Sequence, residues 1–173
     1  RQLEKLASAT LTPLGYFFLP EPPEDRLPIP HFRTAGGGAP RRPSPELIDT
    51  VQVMQRRQAW MRDFLVEQGQ PALSFVGSAT PRTRIPAVAA AMREALKLNI
   101  GWARQQVSWA AALDFLRDAV GEAGILVSSN GVVGNNTSRK LDPNEFRGFV
   151  LTDEFAPLVF INGTDWKSAQ MFT

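Results

Sequence analysis

Apolar residues along the chain recur first at helical spacing and later at strand spacing, with the change near residue 124. Leu3, Leu6 and Ala7 predict a helix over residues 2–9, read as the last turns of a helix whose start lies upstream. Thr12-Pro13 and Gly15 break that pattern before the apolar run 16–19. Prolines at 20, 22, 23, 28 and 30 each fix φ and bias the preceding residue away from helix, so an extended arm follows. Gly36, Gly37, Gly38 and Pro40 prolong it, and residues 1–43 are read as a helix tail plus a Pro/Gly-rich connecting arm.

At Ser44-Pro45-Glu46 a capping hydroxyl, a first-turn proline and an acid meet, which starts a helix. Leu47, Ile48, Val51, Met54, Met61, Phe64 and Leu65 form its apolar stripe, with a gap around Gln58, and Gly69 with Pro71 ends it. Further helices are predicted over 86–98 and, after a Ser108 cap, over 109–122. Ile125-Leu126-Val127 then reads as a short strand and residues 128–136 as a loop of serine, asparagine and glycine. Strands at 148–152 and 158–161 can pair as a hairpin. Thr164 or Asp165 can cap a last helix holding Trp166, Ala169, Gln170, Met171 and Phe172, and no stop signal closes it before Thr173. Helices followed by strands and a helix, without βαβ alternation, predict an α+β domain over 44–173, its helices packed on a small, mainly antiparallel sheet. No internal repeat is visible.

A chain of 173 residues with 43% apolar side chains can build a real core. Its 19 basic and 17 acidic residues leave a charge of only +2, with the basic residues spread along the sequence, which gives little support to nucleic-acid binding by this chain. The absence of cysteine excludes disulfides, thiolate nucleophiles and thiolate metal sites, and fits a reducing cytoplasm. No apolar run reaches the length of a membrane span and the first residues lack a signal-peptide core, so a cytoplasmic protein without a membrane partner is expected.

Candidate chemistry is sparse. His31 is the only histidine, so neither a Ser-His triad nor a histidine-based zinc site can be completed, and a surface or packing role in Pro30-His31-Phe32-Arg33 is the simpler reading. Gly36-Gly37-Gly38 and the run from Gly131 to Gly134 lack the strand-to-helix setting of a phosphate loop and read as turns. The acids Glu24-Asp25, Asp153-Glu154 and Glu145 read as solvated charge, and Trp60, Trp102, Trp109 and Trp166 as core anchors. No catalytic residue and no metal ligand is assigned.

The segment 146–162, Phe-Arg-Gly-Phe-Val-Leu-Thr-Asp-Glu-Phe-Ala-Pro-Leu-Val-Phe-Ile-Asn, followed by Ala169-Gln170-Met171-Phe172-Thr173, resembles the ImmA/IrrE family of zinc metallopeptidases. Residues 12–23, 27–34 and 134–137 resemble the long members, in which an Xre-type helix-turn-helix precedes the peptidase. The resemblance implies the front part of a thermolysin-like (zincin) domain, an intracellular regulator that cleaves a repressor or antitoxin-like protein. In that family the stretch runs into a helix bearing His-Glu-x-x-His, which binds the catalytic zinc. This chain carries no counterpart of that motif, so zinc belongs to the intact parent protein, its ligands lie outside these residues, and the chain alone should be inactive. DNA would be contacted only through a missing upstream domain. The alternative is a non-enzymatic sensor or protein-interaction module of an Xre-family regulator.

One role can be argued for the residues present. Leu158 to Asn162, ending just before the last helix, is placed to pair as an edge strand with an extended substrate, with Leu158, Phe160 and Asn162 as its binding positions. Asn162 either holds a substrate carbonyl or turns the chain. The unfinished last helix also predicts a tendency to self-associate.

Overall fold

The computed structural model describes residues 1–21, 29, 32–33 and 43–170. His31, the triglycine, most of the proline arm, the Glu24-Asp25 pair and Met171-Phe172 lie outside the described residues. Five α-helices are described: α1 (Gln2–Thr10), α2 (Pro45–Glu67), α3 (Ile85–Ala95), α4 (Trp109–Glu122) and α5 (Lys167–Gln170). Six strands accompany them: β1 (Phe32–Arg33), β2 (Leu126–Asn130), β3 (Val132–Val133), β4 (Asn136–Lys140), β5 (Gly148–Leu151) and β6 (Leu158–Asn162). The architecture is α+β, and no described helix is long and apolar enough to cross a membrane.

The helix starts follow from local capping. Ser44 Oγ accepts the Leu47 N–H at 3.1 Å and Ser108 Oγ accepts the Ala111 N–H at 3.1 Å, each satisfying an orphan donor of the first turn. The start of α2 is also anchored from far along the chain. Ser44 donates its backbone N–H and its hydroxyl to the two oxygens of Glu145, at 2.7 and 2.6 Å. Glu145 is thus a structural acceptor rather than solvated charge. Arg139 on β4 ties the next turn down, reaching Glu46 at 3.3 Å and Asp49 at 2.7 Å.

The main sheet has the order β1-β5-β6-β2. β5 and β6 form the expected antiparallel hairpin, β1 adds antiparallel to β5, and β2 runs parallel to β6 from Leu126↔Leu158 to Asn130↔Asn162. Residues 128–130, expected as loop, therefore continue a strand. Val132–Val133 and Asn136, within the same expected loop, are also strand residues, with β3 pairing to β4 in a separate hairpin. Gly134 and Asn135 make its two-residue turn with φ of 50° and 67°, the left-handed geometry that favours these two residue types.

The core lies between α2 and the sheet: Leu47, Val51 and Met54 meet Phe146, Phe149, Leu151, Leu158 and Phe160. Phe149 and Phe160 stack with ring centroids 5.0 Å apart, and Phe146 lies 6.2 Å from Phe160. Only the first part of the α2 stripe is buried. At its gap, Gln58 Nε2 donates to the carbonyls of Leu151 and Ala156 at 2.9 and 3.0 Å, so the polar residue fixes the β5–β6 turn. Beyond it the helix projects outward. Three of the four tryptophans are not the core anchors expected: Trp60, Trp109 and Trp166 are 65%, 68% and 82% exposed, while Trp102 is half-buried and stacks on Phe115 at 5.7 Å, and α3 contains no buried residue.

Asp153 stabilises that turn. Its Oδ1 accepts the N–H groups of Phe155 and Ala156 at 2.8 and 2.9 Å, and its Oδ2 pairs with Arg62. Burial pushes its pKa up, but the backbone donors and the Arg62 guanidinium together outweigh burial and hold it below the ordinary carboxylate value. A depressed folded pKa contributes stability above the unfolded value, about 3.9, and that contribution is lost as pH falls through the folded one. Asp153→Asn should flatten the acid limb of the stability curve below about pH 4 while leaving its shape near neutrality unchanged, as read by urea unfolding at stepped pH. Phe160→Ala should cost about 3–5 kcal/mol in the same assay, whereas Trp60→Ala should cost under about 1.

Candidate functional site

β6 is an interior strand, which overturns its reading as an edge that pairs with substrate. β5 occupies one side and β2 the other, so its backbone groups are taken up within the sheet. Leu158 and Phe160 are buried in the α2 core at 2% and 1% exposure, and neither is free to meet a ligand. Asn162 is fully buried and turns the chain. Its Nδ2 donates to the Phe146 carbonyl at 3.0 Å, and its Oδ1 accepts the Thr164 N–H at 3.1 Å. Thr164 Oγ1 lies 2.6 Å from the same oxygen and 3.0 Å from the Leu141 carbonyl, and its single proton serves one of them at a time.

The polar residues that do come together lie just past this turn. Parallel pairing brings Asn130-Gly131 against Asn162-Gly163, and Gly163 N–H donates to the Asn130 carbonyl at 2.9 Å. A Cβ on Gly163 would stand 3.0 Å from the Asn130 carbonyl carbon and 3.1 Å from Gly131 N, tighter than ordinary van der Waals contact with backbone, so the crossing favours glycine. Asp165 follows with a carboxylate that is 6% exposed. Its Oδ1 accepts the Trp166 N–H at 2.9 Å and its Oδ2 faces Arg147 Nε at 3.6 Å, beyond hydrogen-bond length. Gln170, also buried, donates to the Asp165 carbonyl at 2.8 Å and accepts from Arg117 Nη2 at 3.3 Å.

This cluster fixes the direction in which α5 leaves the sheet. Its chemistry is positioning. The chain has no cysteine, its one histidine is outside the described residues, and among the described residues no three His, Asp or Glu side chains gather as a metal site. Sequence reasoning noted Asp165 as a cap but missed Asn130, Arg147 and Arg117, which are distant in sequence and carry no local signal. Asn162→Ala removes the partners of the Phe146 carbonyl and the Thr164 N–H, and should lower stability by about 2–4 kcal/mol in chemical denaturation; a loss below about 0.5 kcal/mol would mean that the turn is held by other contacts. Compared with known proteins, the chain matches no family model, no curated sequence and no solved structure.

Proposed function

We propose that this chain is the front portion of an intracellular regulatory zinc metallopeptidase of the ImmA/IrrE kind, whose substrate is a repressor or antitoxin-like protein. The observation that carries the reading is the run of residues 146–162 that resembles this family, together with what its last strand does. β6 passes through Asn162, Gly163, Thr164 and Asp165 directly into the helix at Lys167, and buried hydrogen bonds hold that step. A peptidase of this type needs a helix held against the sheet at that point, since metal-bound water must be placed within about 1 Å to be effective. The role of these residues is to position that helix against the sheet.

A second reading is a protein-interaction module of an Xre-type regulator without peptidase activity. It is favoured by the exposed aromatic pair Trp60 and Phe64, stacked at 5.9 Å on the outer part of α2.

Residues 1–173 alone should take up no zinc in equilibrium dialysis and cleave no partner. The full product of the gene should hold about one zinc per chain and should lose cleavage of its repressor on chelation. A full product that binds its partner tightly without zinc and without cleavage would replace the first reading with the second.

A further inference from the structure

We propose that the outer edge of β2 docks an extended segment of a partner protein, which adds to the sheet as a further strand and carries a lysine or arginine over α4. The pairing of β2 with β6 fixes which main-chain groups are free. At one end the Leu126 N–H donates to the Pro157 carbonyl at 2.8 Å, and at the other the Asn130 carbonyl accepts the Gly163 N–H at 2.9 Å, with an unbroken register between them. Leu126, Ser128 and Asn130 therefore turn their main-chain groups toward β6, and Val127 and Ser129 turn theirs away from it. β2 is the last strand of its sheet, and among the described residues nothing meets the outward N–H and C=O groups of Val127 and Ser129. Edges that stay unpaired are usually shielded by charge, proline or a bulge. Leu126-Val127-Ser128-Ser129-Asn130 has none of these.

The chain itself shows that this side accepts a strand. Gly131, the next position turned the same way, gives its carbonyl to the Leu141 N–H at 3.0 Å, continuing the pairing of β3 with β4. The turn closed by the Glu145 N–H on the Asp142 carbonyl, at 3.2 Å, then carries the chain away before it reaches Ser129. An incoming strand continues the line that Leu141 leaves. A second β2 does not fit there, because the twofold register that uses both Val127 and Ser129 centres on Ser128 and puts Ile125 where Leu141 of the other copy already bonds Gly131. The occupant is an extended segment of another protein, held by main-chain hydrogen bonds and selected by its side chains.

The groove beside this edge supplies the selection. It has a volume of about 580 Å³, is lined by Arg117, Asp118, Gly121 and Glu122 of α4 with Val127 and Ser129 of β2, and takes no residue from β6. A Cβ on Gly121 would meet nothing within 4 Å, so there is room for an incoming side chain. Arg117 is turned to Asp114 at 3.9 Å and Gln170 at 3.3 Å, whereas Asp118 and Glu122, one turn apart and exposed, have no ion pair among the described residues. The uncommitted charge of the groove is negative. Glu122 also closes α4, whose last turn carries no basic residue, and a cation placed there meets the favourable end of the helix dipole. A basic side chain on the incoming strand matches both. This docking does not depend on the peptidase reading.

The probe is a fluorescein-labelled synthetic peptide of alternating valine and threonine with a central lysine, titrated against the chain by fluorescence anisotropy. Saturable binding that weakens with added salt is expected, and the Val127 and Ser129 amides should become protected from hydrogen exchange when the peptide is bound. Ser129→Pro removes an outward N–H that β6 does not use, so it should keep the circular dichroism spectrum and weaken binding about tenfold or more. Asp118→Lys with Glu122→Lys should reverse the preference, so that a peptide with glutamate in place of the lysine binds better. Absence of saturable binding, binding that Ser129→Pro leaves unchanged, or an unreversed preference would overturn the proposal. If Ser129→Pro unfolds the chain, two versions of the peptide, N-methylated on one or the other alternate set of amides, provide the second reading with the unaltered chain. Loss of binding for one version alone supports strand addition, and equal behaviour of the two overturns it.

Discussion

A strand paired on both sides leaves no free backbone groups along its length, and the difficulty moves to its end. β6 has β5 and β2 as neighbours, and at Asn162 the sheet stops while the chain is still fully buried. A buried carbonyl or amide without a partner is costly, so the side chain at that position must stand in for the missing strand. Asparagine can do so because it carries both a donor and an acceptor. It gives the donor to Phe146 and uses the acceptor to close the turn to Thr164. The path of the chain into α5, the close crossing at Gly163, and the burial of Asp165 and Gln170 all follow from that one amide.

The helix starts were legible because their causes are local. Ser44 and Ser108 bond within three residues of themselves, and a reader of the sequence needs nothing else. The hairpin of β5 and β6 was legible for the same reason. What was not legible depends on partners far away. Ser128, Ser129 and Asn130 are polar and look like loop, yet the parallel register with β6 makes them strand. Gln58 broke an apolar pattern, and its purpose lies in two carbonyls more than ninety residues further on.

The candidate site shows the same division. The end of β6 was legible as a structural landmark, and the turn reading of Asn162 agrees with its bonds. Whether a strand is an edge or an interior one is a property of the whole sheet, and nothing in Leu158-Val159-Phe160-Ile161-Asn162 states which neighbours it will have. Arg147 and Arg117 reach the junction from β-sheet and α4 flanks, so their place beside Asp165 and Gln170 exists only after folding.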